Sequence, residues 1–216
     1  MTEPKIEYEN EVVLPRRVRQ QRDNLPALWK EGDCGACVLA GVLDLPDLKA
    51  AYELTDEGKI EPFSHTRLYR ALHAADRKGL VDRLITEVPS WSVYQVHQTW
   101  GSPAWLQNLD WFYWLRMGID AGYYGLASVD ADHRGPLKGR VNHIVLIVGT
   151  REEIEHKTMK SSVDGNFINY SSHTPQVLIS CSSTKSVDEE WVNVRDYLMW
   201  WGGFNIQLVR PLEKNK

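Results

Sequence analysis

Three residues in this chain have the right types and neighbours for nucleophilic chemistry: Cys34, Cys37 and His143. A cysteine attacks as the thiolate, and the start of a helix favours that form because unpaired backbone N–H groups and the helix dipole stabilise negative charge there. Cys34 and Cys37 both lie at the head of an apolar run, Ala36 to Leu43, that reads as a buried helix. A cysteine nucleophile also needs an imidazole within hydrogen-bond reach and donors for a developing oxyanion. His143 can supply the imidazole: it opens the β-branched run Ile144 to Val148 and follows the polar loop Gly135 to Asn142, so it is expected at a strand end facing a cleft.

Other uses of the same residues are less favoured. Cys34-x-x-Cys37 is a half-site for zinc, but only Cys181 and scattered histidines remain to complete it. As a redox pair it lacks the strand expected immediately before it. Asp130, Asp132 and His133 read as a polar turn rather than a metal cluster. No cofactor is expected.

The elements that must position these groups follow from the pattern. Residues 1–10 are polar and charged and read as a flexible tail, with a short extended piece at Val12–Pro15. Helices are expected over Leu48–Leu54 and Thr66–Lys78, and a further one from the cap Ser102-Pro103 to about Met117. Strands are expected over Gly122–Val129, His143–Val148, Gln176–Ser180 and Phe204–Val209, with a helix over Trp191–Trp201. Helices gather in the first half and strands in the second, which predicts an α+β fold. A single domain over 11–216 is expected, with a helical lobe over about 20–120 and a sheet lobe over about 121–211. The segment His156–His173, rich in Ser and Asn, reads as an inserted loop.

Composition narrows the function classes. A net charge of -4 and only a short basic patch at Arg16, Arg17 and Arg19 argue against nucleic acid as a partner. No apolar run approaches the ~20 residues that span a bilayer, so no membrane partner is expected. Three cysteines are too few and odd in number for a disulfide framework, and the N-terminus has no apolar signal core, so thiols in the cytoplasm are the expectation.

Taken together, these motifs resemble the papain-like cysteine peptidase superfamily. Asp33-Cys34-Gly35-Ala36-Cys37-Val38-Leu39 resembles its cysteine helix, and Asn142-His143 followed by Ile144 to Gly149 resembles its histidine strand. Val177 to Cys181 is similar to the strand that carries the third catalytic residue, and Tyr197 to Phe204 is similar to the ending of the bacteriocin-processing peptidases. Those peptidases and the phytochelatin-synthase-like enzymes are nearest in pattern. The resemblance implies a papain-like fold, with the nucleophile helix of an N-terminal helical lobe packed on a C-terminal antiparallel sheet lobe. It implies a thiol-dependent peptidase, amidase or acyltransferase that acts on a peptide or amide through an acyl-enzyme.

In the papain register Cys37 attacks; in the register of the other two branches Cys34 does, and Leu39 favours Cys34. The third residue, Asn or Asp in the family, aligns with Cys181. Ser180, Ser182, Asp164, Asn166 and Asn169 are the alternatives for orienting the imidazole, and a dyad without a third residue is the other. The oxyanion glutamine aligns with Glu31, and Gln20 or Gln21 could replace it. The alternative expectation is a catalytically silent papain-like module that binds a peptide or partner protein.

Overall fold

The computed structural model describes residues 5–15, 33–55, 65–84, 110–129, 143–160, 163–182, 189–199 and 205–212. Its strands are β1 (Lys5–Val13), β2 (Val81–Leu84), β3 (Tyr124–Val129), β4 (His143–Lys160), β5 (Phe167–Ser180), β6 (Glu189–Asn193) and β7 (Asn205–Pro211). Its helices are α1 (Cys34–Val42), α2 (Leu48–Glu53), α3 (His65–Arg77), α4 (Asp110–Asp120) and α5 (Val194–Met199). The fold is α+β, and the strands form one antiparallel sheet in the order β2-β7-β3-β4-β5-β6, with β1 added alongside β4.

The alternating pattern of the central strands explains why the sheet is covered on both faces. Leu126, Ile144, Leu146, Val148, Leu178 and Val209 point to one side, where they pack with the apolar residues of α1, α2 and α3. Their neighbours Ala127, Val145, Ile147, Val177, Ile179 and Leu208 point to the other, where Phe112, Leu115 and Ile119 of α4 and Tyr197 of α5 cover them. Strands buried on both faces read as continuous apolar runs, as Ile144–Val148 does. Among the described residues the central sheet therefore lies between two helical layers, α1–α3 on one face and α4 and α5 on the other. α4 lies across the sheet from α1, and β1 and β2 come from the first half of the chain.

Local chemistry sets the helix ends. α1 has no charged residue in its first or last turn and is buried at every position except Gly41. Asp47 caps α2 by accepting the Ala50 N–H at 2.9 Å. α3 buries Leu68, Ala71, Leu72 and Ala75 on one stripe. It stops at Gly79, whose φ of +64° lets the Leu80 N–H reach back to the Ala75 carbonyl at 2.9 Å.

Two expectations are corrected. Residues 5–10 of the supposed tail belong to β1, paired with β4 from Lys5↔His156 to Val13↔Gly149. His156–His173 is not a loop: β4 and β5 run on as a hairpin, paired without interruption from Gly149↔Leu178 to Lys160↔Phe167. β4 has 18 residues, about 60 Å at a strand's rise of about 3.3 Å per residue. β1, β4 and β5 thus extend the sheet into a three-stranded arm beyond the helical layers.

The helix expected over Trp191–Trp201 is shorter, because β6 takes Glu189–Asn193 and α5 begins at Val194. The Asn193 carbonyl side-chain oxygen accepts the Asp196 N–H at 2.7 Å and starts that helix. Ser102-Pro103 and Trp200-Trp201 lie outside the described residues. No helix among the described residues is long and apolar enough to cross a membrane.

Candidate active site

The first residue of α1, the first residue of β4 and the residue after β5 meet at one end of the sheet. Cys34 heads α1 because Asp33 ends the preceding segment and the Cys37 N–H bonds to the Asp33 carbonyl at 2.8 Å, closing the first helical turn. His143 begins β4 opposite Val129 of β3. Cys181 follows Ser180, the last β5 residue, which pairs with Leu146. All three are buried, at 5% exposure for Cys34, 7% for His143 and 4% for Cys181.

The imidazole Nε2 of His143 lies 3.0 Å from the Cys181 Sγ. The Cys34 thiol accepts the main-chain N–H groups of Ile144 and of Gly35, so it sits beside the strand residue that follows His143. The two sulfurs are close enough for charge on one to oppose charge on the other. Burial pushes the Cys34 thiol up from the ordinary 9.0 to about 11; the Ile144 and Gly35 N–H groups pull the other way, and nearby Cys181 and Asp33 add to the rise. At neutral pH Cys34 therefore rests as the thiol, and any base that uses it must take its proton during the reaction.

Behind Cys34 lies a buried polar network that the sequence reading did not assign. Asp33 is 1% exposed and accepts a hydrogen bond from the Tyr52 hydroxyl of α2. Arg67 of α3, itself buried, stacks over the Tyr52 ring at 4.6 Å and donates from Nε to Thr55 Oγ1 at 3.1 Å. Burial first, and then the bond to Asp33, holds the Tyr52 phenol far above its ordinary range. The available signal was an acidic residue directly before α1, with Tyr and Arg on the two helices that follow.

The other candidates can be placed in turn. Cys37 is fully buried one helical turn beyond Cys34 and lies near Tyr52. Ser180 points with Leu146 to the α1 side of the sheet. The Ser182 hydroxyl is buried and makes no hydrogen bond among the described residues. Asp164, Asn166 and Asn169 cannot orient the imidazole. Asn169 pairs with Thr158, fifteen residues along β4 from His143, about 50 Å away at strand rise, and Asp164 and Asn166 bond to each other at the hairpin turn.

Glu31, Gln20, Gln21, Asn142 and the Asp130–His133 segment lie outside the described residues. Cys34, Cys37 and Cys181 form no disulfide with one another. Among the described residues no group of three or more His, Cys, Asp or Glu side chains could hold a metal ion.

The chain matches no family model, no curated protein and no solved structure.

Proposed function

We propose that the protein is a thiol-dependent hydrolase or acyltransferase of papain-like arrangement, acting on a peptide or amide, with Cys34 as nucleophile and His143 as general base. The observation that carries the reading is the meeting of three elements: His143 Nε2 at 3.0 Å from Cys181, and the Cys34 thiol on the adjacent Ile144 N–H. A nucleophile at a helix start, an imidazole at a strand start and an imidazole partner on the next strand is the arrangement an acyl-transfer site requires.

In this reading Nε2 is held by Cys181, and Nδ1 takes the Cys34 proton as the thiolate attacks the carbonyl carbon. The main-chain N–H groups in the first turn of α1 stabilise the tetrahedral oxyanion. The imidazolium then gives its proton to the leaving amine, and the acyl-thioester passes to water or to an acceptor amine. Cys181 is a weaker acceptor than a carboxylate or amide, so it orients the ring while stabilising the imidazolium less. The raised Cys34 pKa fits a base that removes the proton in the attack step rather than a preformed ion pair.

The contact between His143 and Cys181 supports a second reading, in which Cys181 is the attacking thiol. Mapping iodoacetamide labelling at each cysteine against pH, in the native protein and in His143→Ala, separates the two. The proposal expects Cys34 to be the thiol whose labelling at neutral pH is fastest and slows on loss of the imidazole. Labelling of Cys181 alone, lost in His143→Ala, moves the nucleophile to Cys181. Three slow thiols indifferent to His143 overturn the catalytic reading in favour of a silent binding module.

A further inference from the structure

Among the described residues the arm's two outer edges differ in charge and regularity. On the β1 edge, Lys5, Glu7, Glu9 and Glu11 place charges along the strand. Its register shifts between Glu9 and Val12, around Asn10 with a φ of +54°. Charges and bulges are the usual means by which an edge strand avoids pairing with another chain.

The β5 edge has neither. β6 covers it only over Gln176–Ser180, and among the described residues nothing pairs with the outer side of residues 167–175. That stretch, Phe-Ile-Asn-Tyr-Ser-Ser-His-Thr-Pro, contains no Asp, Glu, Lys or Arg, and its pairing with β4 is regular throughout.

The arm's faces also differ. The pairings Ile6↔Glu155, Tyr8↔Glu153, Lys157↔Tyr170 and Met159↔Ile168 place Ile6, Tyr8, Met159, Ile168 and Tyr170 on one face. They are 50%, 49%, 56%, 49% and 43% exposed, respectively. The opposite face is tied by polar contacts, from His156 to Ser171 and Glu7 and from Thr158 to Asn169.

We propose that residues 167–175 of β5 pair antiparallel with the same residues of a second copy of this chain, about a two-fold axis normal to the sheet at Ser171. The occupant follows from charge. An uncharged strand meets its own copy with no like charges opposed, whereas the acidic β1 edge would oppose glutamate to glutamate. An axis normal to the sheet reverses the strand direction and keeps like faces on the same side. The exposed Met159, Ile168 and Tyr170 of the two arms then share one continuous face, on which Glu155 and Lys157 form an ion pair, and both free edges are consumed in one closed, isologous contact.

The inference does not rest on the proposed chemistry, since the edge and the Cys34 site are far apart along β4. Sedimentation velocity of the full chain across micromolar concentrations tests it. The expected result is a dimer that Ile168→Lys and Tyr170→Lys each weaken by about tenfold or more, with unchanged thermal unfolding of the monomer, while Glu9→Ala on the other edge has no effect. Ser171→Cys, on the axis, is expected to give a disulfide-linked dimer on mild oxidation, whereas Asn169→Cys, which faces His173 of the second copy, is not. A monomer at every concentration overturns the proposal, as does a dimer that keeps its affinity in both lysine variants.

Discussion

The Tyr52 hydroxyl of α2 donates to the carboxylate of Asp33, the residue immediately before Cys34. Asp33 is almost fully buried, so its charge depends on such partners. Tyr52→Phe removes the donor and leaves the ring under Arg67. We expect this change to cost about 1–3 kcal/mol, read as a lower urea midpoint at unchanged slope. The start of α1 loosens with it, and Cys34 labelling rises as the thiol gains access to reagent.

Stability is expected to depend on alkaline pH through Cys34. The thiol titrates at about 11 when folded and near 9.0 when unfolded. Below pH 9 both states hold the proton and the contribution is constant. Between pH 9 and about 11 the unfolded state loses it first, so stability falls by up to about 2–3 kcal/mol. Other groups also titrate in this range. The test is therefore the difference between the native protein and Cys34→Ser in urea unfolding, and that difference should narrow as pH rises from 9 to 11.

Under the proposed function Cys181 acts as a positioning residue. Cys181→Ser keeps a small acceptor beside His143 Nε2 and should retain turnover within about tenfold, whereas Cys181→Ala should lose about tenfold to a hundredfold. Cys34→Ser should abolish acyl-enzyme formation. Intact-mass measurement of the acyl adduct in each variant checks the order.

Gly149 marks the point where the covered sheet becomes the arm. A Cβ there would lie 2.8 Å from the Val12 carbonyl oxygen and 3.3 Å from the Trp191 ring. Gly149→Ala should cost about 1–3 kcal/mol by overpacking against a backbone atom that cannot move aside cheaply. Hydrogen exchange should quicken first in β1, which pairs with β4 at Val13↔Gly149.

The Ser182 hydroxyl is buried without a hydrogen-bond partner among the described residues. Ser182→Ala should leave stability unchanged or raise it by up to about 1 kcal/mol, because removing an unsatisfied group removes its desolvation penalty. A loss of more than that in urea unfolding would mean the hydroxyl has a partner in solution.

The parts of this fold legible in the sequence are those where burial imposes a pattern. α1 and the Ile144–Val148 portion of β4 are fully apolar, and α3 shows its buried stripe at Leu68, Leu72 and Ala75, so their types could be read directly. The arm could not. Its strands are exposed on one or both faces, so residues 1–10 read as a tail and His156–His173 as a loop. Half-buried alternation, the usual strand signal, is absent where neither face meets a core. β6 was hidden for a similar reason, since Glu189 and Glu190 are exposed at its start.

The pairing of His143 with Cys181 depends on the β4–β5 register, which no local pattern reports; only the resemblance aligned Cys181 with that role. The Asp33–Tyr52–Arg67 network spans three elements and was invisible for the same reason.

One strand, β4, begins with His143 and ends at Lys160 on the arm. Beyond the register shift between Ile147 and Gly149 side chains alternate along the strand, so the faces of the arm are locked in parity to Gly149. An insertion of one residue between Gly149 and Lys160 that the hairpin absorbs as a shift would turn the arm inside out relative to the sheet, sending the outer polar residues to the apolar side. An insertion of two would preserve it. Length changes in this arm are therefore tolerated in even steps, so a variant chain with a longer or shorter hairpin can keep both the His143 end and the outward face of Tyr170 only if the number of residues added to each strand is even.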